Sequence, residues 1–126
     1  MDFNNIKSMV MLQEKMKHHA GKQTVIAENF AKADTPGYKR KEVKEPDFGA
    51  LVGQASQNIK LKTTNSKHIN PNDMGGGVQT FSTSDKVKLD MESIALTQNV
   101  GEYSKTASTY KKMIGLIREA VGGQGG

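Results

Sequence analysis

Residues 89–121 read LDMESIALTQNVGEYSKTASTYKKMIGLIREAV, and this stretch holds the longest unbroken periodicity in the sequence. Residues spaced alternately by four and three positions lie on one face of an α-helix. The positions with this spacing are Leu89, Ser93, Leu96, Val100, Tyr103, Ala107, Tyr110, Ile114, Ile117 and Val121. The pattern predicts an amphipathic helix over residues 85–121, with Ser84 or Asp85 as its N-cap. Two glycines follow and end it, which leaves residues 122–126 as a flexible tail.

A second amphipathic pattern occupies the opposite end of the chain, over residues 1–34. The same alternating spacing connects Met9, Leu12, Met16, His19, Gln23, Ile26, Phe30 and Ala33. This helix must end before Pro36, because a proline disfavours the helical conformation of the residue before it. Two polar residues, His19 and Gln23, interrupt the apolar stripe, and polar residues at such positions typically set the register or the choice of partner.

The intervening residues, 35–84, carry a different pattern. Pro36 and Gly37 suit the two central positions of a type II turn, with the glycine at positive φ. Short alternating stretches such as Ile59–Thr63 favour strands or extended segments, and Gly75–Gly77 favours a flexible link. We therefore predict a mainly α protein. Its two long terminal helices form a coiled-coil-like pair, and its middle segment is flexible and partly β or extended.

The composition predicts a chain that needs partners to bury its apolar surface. Only 35% of the 126 residues are hydrophobic, and tryptophan is absent. A domain of this size has little stability to spare, and a helix pair has no interior beyond a single seam. Cysteine is absent, which excludes disulfides and thiolate chemistry. We expect no membrane insertion and no cleavable signal peptide, because the apolar run Met9–Leu12 is too short for either.

The titratable residues favour a protein without catalytic, metal or cofactor sites. His18 has Glu14 and Lys22 four residues away on either side, which predicts a charge cluster on the helix surface. Asp90 and Glu92 fall in the first turn of the second helix, where solvated carboxylates complement the helix dipole. No nucleophile–base signature and no phosphate-binding loop occurs in the sequence. We therefore expect neither an enzyme nor a bound cofactor.

The net charge of +5 leaves one alternative open, a small basic helical protein that binds nucleic acid. The densest basic cluster is Lys39, Arg40 and Lys41, but Glu42 and Glu45 follow it at once. This mixture favours an ordinary solvated surface over a polyanion site, so nucleic acid is not among the expected partners.

Residues 28–39, ENFAKADTPGYK, resemble the signature of the bacterial flagellar axial family, in which a helix carrying N-I-A-N leads into T-P-G-Y-K. Phe30 stands where the family usually has Ile, and Lys32 where it has Asn. Residues 61–68, LKTTNSKH, resemble the family's L-x-x-T-x-x-x-H stretch. The run VKLDME at 87–92, followed by Gln98, Asn99 and Tyr103, resembles its C-terminal helix, although Lys88 replaces an acidic residue and the Gln–Asn order is inverted. The resemblance spans residues 5–121 and is closest to the small proximal rod members.

The resemblance implies a structural subunit of the flagellar basal body rod, which crosses the periplasm and transmits torque from the motor to the hook and filament. It implies export by the flagellar type III apparatus without a cleaved signal, and helical assembly through the terminal helices. The implied partners are the chain itself, other rod proteins, the basal-body ring with its rod adaptor, and the export apparatus. Another axial protein of similar length, such as the second proximal rod component, remains an alternative.

Two groups of residues are the candidate functional positions under this interpretation. The predicted assembly seam comprises Met9, Leu12, Met16, Ile26, Phe30, Leu89, Leu96, Val100, Tyr103, Tyr110, Ile114 and Ile117. The family-motif turn comprises Asn29, Asp34, Thr35, Pro36, Gly37, Tyr38 and Lys39. We expect the first group to form contacts between helices and between subunits, and the second to direct the chain out of the first helix.

Overall fold

The computed structural model describes residues 3–50, 53 and 78–123. The principal elements of the described residues are helix α1 (Phe3–Ala31), strand β1 (Lys41–Val43), strand β2 (Thr80–Ser82) and helix α2 (Leu89–Gly122). Residues 48–50 and 53 are also helical. The prediction of a mainly α protein with two long terminal helices is confirmed.

The two long helices pack side by side and run antiparallel. Side-chain hydrogen bonds join the last part of α1 to the first turn of α2, through Asn29 and Glu92, and join earlier positions of α1 to later positions of α2. Neither described helix has an apolar stretch of the length that a membrane crossing requires. The antiparallel pair thus joins the first and the last helix of the described chain.

A two-stranded antiparallel sheet lies beside the helix pair. Glu42 of β1 is opposite Phe81 of β2. The ladder extends beyond the strands, since Thr83 N–H donates to Arg40 C=O at 2.8 Å. Gly21 of α1 admits the segment leading into β2, because a Cβ at this glycine would lie 2.6 Å from Val78 Cγ1. The predicted strand at 59–63 and the link at 75–77 lie outside the described residues.

Helix α2 begins at Leu89, four residues after the predicted start at residue 85. Residues Ser84 and Asp85 belong instead to a bend that continues the sheet, where Asp85 C=O accepts the Arg40 N–H at 3.0 Å. The N-cap position is Lys88, which makes no side-chain capping bond. The Asp85 carbonyl is therefore bonded to the sheet and is not available to accept the first hydrogen bond of a helix, as an N-cap carbonyl would. At the other end α2 stops at Gly122, next to the predicted end at Val121.

The interior of the described part is small and largely polar. Val25 and Ile26 of α1 are its buried hydrophobic residues. The buried polar residues outnumber them and are His18, Asn29, Glu92, Asn99 and Thr106. Polar groups remain in an interior only when their hydrogen bonds are satisfied or a cost in free energy is accepted. Three of these side chains, Asn29, Glu92 and Asn99, make hydrogen bonds between the two helices.

Candidate assembly interface

The turn that leads out of α1 has the predicted geometry. Gly37 has a φ of 78°, the only positive φ among the described residues. Tyr38 N–H donates to Thr35 C=O at 3.2 Å, which closes the four-residue turn around Pro36 and Gly37. The chain therefore reverses directly after α1 and returns along it, which brings Tyr38 and Lys41 back to Asn29.

Asn29 is the centre of the network that this turn creates. Its amide oxygen accepts the Lys41 N–H at 3.0 Å and the Tyr38 hydroxyl at 3.1 Å. Its amide nitrogen donates to Lys41 C=O at 2.9 Å and to Glu92 Oε2 at 3.2 Å. These four bonds use both donors and both lone pairs of the amide, and the side chain is 1% exposed. Asn29 thus fastens the turn, the start of β1 and α2 to one point of α1.

Glu92 is fully buried at the α2 end of this network, which corrects the expectation of a solvated first-turn carboxylate. Its Oε1 pairs with the Arg40 guanidinium, and Arg40 also pairs with Glu42. Asp90, two residues earlier, is exposed as expected. The expectation failed for Glu92 because its partners are Arg40, the residue before β1, and Asn29 of α1, and the periodicity of α2 contains no information about them.

The same contacts occupy the basic cluster at residues 39–41. Lys39 Nζ donates to Ser84 C=O at 3.2 Å, and Lys41 Nζ lies 2.8 Å from Glu28 Oε1. The pairing with Lys41, followed by that with Lys32, holds the pKa of Glu28 below its usual range. All three basic side chains therefore make contacts within the fold.

His19 and Asn99 make a second polar contact between the helices. Asn99 Nδ2 donates to the His19 C=O at 2.7 Å, which fixes the orientation of the amide. The amide oxygen then faces His19 Nδ1 at 2.9 Å and accepts its proton. Asn99 is buried. Of the two polar residues in the predicted stripe of α1, His19 makes this hydrogen bond to α2, whereas Gln23 is exposed.

A third contact joins the helices towards their other ends. Gln13 Nε2 donates to the Tyr110 hydroxyl at 2.9 Å. Thr106 is buried between the second and third contacts, and its hydroxyl donates to Glu102 C=O within α2 at 2.8 Å. Glu92, Asn99 and Thr106 are spaced by seven residues, so the buried line of α2 is polar. Sequence reasoning missed this line because it selected the neighbouring apolar positions.

His18 is buried, with 5% of its surface exposed, which corrects the prediction of a surface charge cluster. Its ring lies edge-on to the Phe48 ring, and its Nε2 is 3.3 Å from Glu45 Oε2. Glu45 also pairs with Lys22 at 3.3 Å. Burial lowers the pKa of His18, and this effect outweighs the opposing attraction of Glu45. The segment after β1 covers this face of α1, which the helical spacing could not indicate.

The predicted seam residues of α2 divide into two groups. Leu96, Tyr110, Ile114 and Ile117 are half-buried. Leu89, Val100 and Tyr103 are exposed by 50%, 43% and 38% of their surfaces. We call these last three residues the exposed ridge. The helix pair of a single chain leaves the ridge uncovered.

The predicted seam residues of α1 are more fully packed. Ile26 is buried, and Met9, Leu12, Met16 and Phe30 are half-buried. In the motif turn Asp34, Thr35, Pro36, Gly37 and Lys39 are exposed, while Tyr38 is half-buried. The structure therefore brings Asn29 and Tyr38 together in one network, with the rest of the turn at the surface.

A cleft of about 410 Å³ lies between α1, the two strands and the first turns of α2. Its apolar lining residues are Val25, Ile26, Val43, Phe81 and Ala95. Charged residues that pair with one another, such as Arg40 with Glu92, complete the lining. Within the described residues, no group of three His, Cys, Asp or Glu side chains could hold a metal ion. An apolar surface with a paired polar rim is typical of protein contact surfaces.

Comparison with known proteins identifies relatives of one kind, although no family model matches the chain. It is 40% identical over 75 residues to the flagellar basal body rod protein FlgB of Buchnera aphidicola subsp. Baizongia pistaciae, covering 57% of this chain and 51% of that protein. It is 24% identical over 103 residues to FlgB of Cereibacter sphaeroides strain ATCC 17029, covering 81% of this chain and 78% of that protein.

A third relative extends the agreement to another bacterium. The chain is 31% identical over 90 residues to FlgB of Bacillus subtilis strain 168, covering 65% of this chain and 67% of that protein. The chain belongs to the FlgB family of flagellar basal body rod proteins.

Proposed function

We propose that this protein is a structural subunit of the flagellar rod, which assembles helically through α1 and α2 and transmits torque by the packing of its subunits. The observation that carries the proposal is the exposed ridge of α2. Leu89, Val100 and Tyr103 follow the spacing of a helix-packing seam, yet they remain uncovered in the single chain. Large side chains with this spacing stabilise a helix contact when a further helix covers them.

The position of the ridge indicates how such a subunit would assemble. The ridge lies beside the α1–α2 seam, so a helix of the next subunit can pack against both helices at once. A contact between two different surfaces generates a helical polymer when its repetition does not close into a ring. Burying one large apolar side chain contributes about 1.5–3 kcal/mol, and repetition over many subunits stiffens the shaft.

The partners that we propose follow from membership of the family. They are copies of this chain, other rod proteins, the basal-body ring with its rod adaptor, and the flagellar type III export apparatus. The proposed location is the rod where it crosses the periplasm, reached by export without a cleaved signal peptide. The proposed role is structural and involves no catalysis. The absence of cysteine suits a chain that is exported unfolded, because no disulfide has to be prevented or rearranged.

A charge placed on the ridge tests this proposal. We expect Val100→Asp, on the ridge, to leave expression intact but to abolish swimming in cells that lack their own FlgB-family protein. Ile114→Asp, at a half-buried position of the predicted seam, should have the same effect. The physical reason is that a carboxylate buried in an apolar contact is strongly unfavourable. Immunoblots of purified basal bodies measure incorporation directly, and soft-agar swimming measures function.

Thr109→Asp is the matched control. Thr109 is exposed and lies nine residues from Val100, which places it on the opposite side of α2. This variant should be incorporated and should support swimming. Normal incorporation of Val100→Asp would refute the role of the ridge, and equal loss with Thr109→Asp would show that α2 tolerates no charge on either side.

A further inference from the structure

The apolar positions of α2 do not specify one partner by themselves. Leu89, Leu96 and Tyr103 repeat every seven residues, as do Val100, Ala107 and Ile114. A helix shifted along such a repeat by seven residues presents equivalent side chains, and so does a second copy of the same helix. The choice of α1, in one antiparallel register, must therefore come from other side chains.

Three polar contacts between the helices supply such a preference, and we call them rungs. Each rung joins one residue of α1 to one residue of α2. The rungs are Asn29–Glu92 at 3.2 Å, His19–Asn99 at 2.9 Å and Gln13–Tyr110 at 2.9 Å. Asn29, Glu92 and Asn99 are each at most 3% exposed, so water cannot replace the first two rungs without opening the seam. The Gln13–Tyr110 rung is exposed.

The spacing of the rungs differs between the two helices. On α1 they stand ten and six residues apart, and on α2 seven and eleven residues apart. A slide of seven residues therefore cannot restore all three rungs together. It would also separate Glu92 from Asn29 and from Arg40, leaving a carboxylate buried without its partners. A second copy of α2 has the same defect, because it contributes neither Asn29 nor Arg40.

We propose that the rungs are the specificity-determining contacts of this helix pair. They select α1 of the same chain, in one antiparallel register, over a shifted register and over α2 of a second copy. By fixing the register they also fix the side of the pair on which the exposed ridge lies. The selection is a property of the isolated chain and holds whether or not the proposed rod role is correct.

The second rung offers the most direct test. In the double variant His19→Leu/Asn99→Leu both polar side chains become apolar, so neither remains buried without its partner. Spin labels attached at Lys17→Cys and Glu119→Cys, both exposed, report the axial alignment of the helices. The labelling is specific because the sequence contains no other cysteine. Distances are measured by pulsed electron resonance, and association by sedimentation.

We expect the labelled parent protein to give one narrow distance distribution. The double variant should keep at least the helical content of the parent, measured by circular dichroism. It should add either a population displaced by about 10 Å, the rise of seven helical residues, or a concentration-dependent dimer. Gln13→Leu/Tyr110→Phe, which removes the outer rung, should give the same change with a smaller new population.

Gln23→Leu/Gln98→Leu is the matched control, since both residues are exposed and make the chain more apolar by a similar amount without removing a rung. It should keep the single parental distance. An unchanged distance in a monomeric His19→Leu/Asn99→Leu variant would overturn the proposal. Loss of its helical content would also overturn it, because the rung would then supply stability and not selection.

Discussion

Asn29 Nδ2 donates to Glu92 Oε2 at 3.2 Å and thereby ties the end of α1 to the first turn of α2. The two residues are 63 positions apart in the chain, and both are almost completely buried. Asn29 also holds the backbone of Lys41 through both its N–H and its C=O. The asparagine of the family motif is therefore the point at which the turn, the sheet and both helices meet.

Replacing Asn29 with Asp tests this network with almost no change in volume. The variant loses both amide donors and places a second carboxylate beside Glu92. Each buried group left without its hydrogen bond costs about 1–3 kcal/mol, so we expect the free energy of unfolding to fall by roughly 3 kcal/mol. Urea unfolding followed by circular dichroism measures the loss.

A second substitution in the same pair identifies the cause. In Asn29→Asp/Glu92→Gln an amide donor again faces a carboxylate, with the two groups exchanged. We expect this double variant to recover part of the loss, and the coupling energy to show in a double-mutant cycle. Asn5→Asp, at an exposed position of α1, should change stability by less than about 0.5 kcal/mol. Strict additivity in the cycle would argue against a direct contact.

The positive φ of Gly37 gives a second prediction. A Cβ at this position would have no atom within 4 Å, so a substitution there meets only the backbone penalty. The left-handed conformation costs an L-residue about 1–2 kcal/mol, and a β-branched side chain fits it worst. Gly37→Val should therefore lower the thermal midpoint clearly, whereas Gly37→Asn should lower it less. Equal midpoints for the two variants would mean that the turn has adopted another conformation.

The elements that could be predicted from the sequence were those determined by local chemistry. The spacing of apolar residues at both ends of the chain predicts α1 and α2, and Pro36 followed by Gly37 predicts the turn. The start of α2 could not be predicted in this way, because Asp85 bonds to Arg40 and so belongs to the sheet. A candidate cap is recognised from its residue type, but its backbone carbonyl can be hydrogen-bonded to a segment distant in the sequence.

The buried polar residues show a second limit of sequence reasoning. Glu92 and His18 both carry the spacing and charge of surface residues, yet both are buried by segments that come from elsewhere in the chain. Their burial depends on Arg40 and on Phe48, whose positions follow from the course of the chain after the turn. Helical periodicity describes one helix at a time, so it cannot show which polar residue contacts a partner on another element.

Two helical glycines give a third, comparative prediction. Gly101 faces open space in α2, so Gly101→Ala should stabilise the protein by up to about 1 kcal/mol through helix propensity. At Gly21 the same change gains the same propensity but places Cβ 2.6 Å from Val78 Cγ1. Overpacking typically costs about 1–3 kcal/mol, so Gly21→Ala should be less stable than Gly101→Ala by that amount.

Val78→Ala supplies the control for this comparison. It removes the methyl groups that the new Cβ would meet, so Gly21→Ala/Val78→Ala should be more stable than Val78→Ala alone. Thermal midpoints measured at one protein concentration are sufficient. If Gly21→Ala raised the midpoint as much as Gly101→Ala does, the close packing of Val78 on α1 would be disproved.

The last prediction concerns the dependence of stability on pH. Because burial lowers the pKa of His18 in the folded chain, the unfolded chain binds this proton more readily. The contribution of His18 is therefore fully present above the unfolded value of about 6.5 and is lost as the pH falls through the lowered pKa. The thermal midpoint should decrease between pH 7.5 and pH 5, before Glu28, whose pKa is also lowered, begins to titrate. His18→Leu should remove much of this decrease while His19 remains. A proton resonance of His18 that titrated above 6.5 would show that attraction to Glu45 outweighs burial.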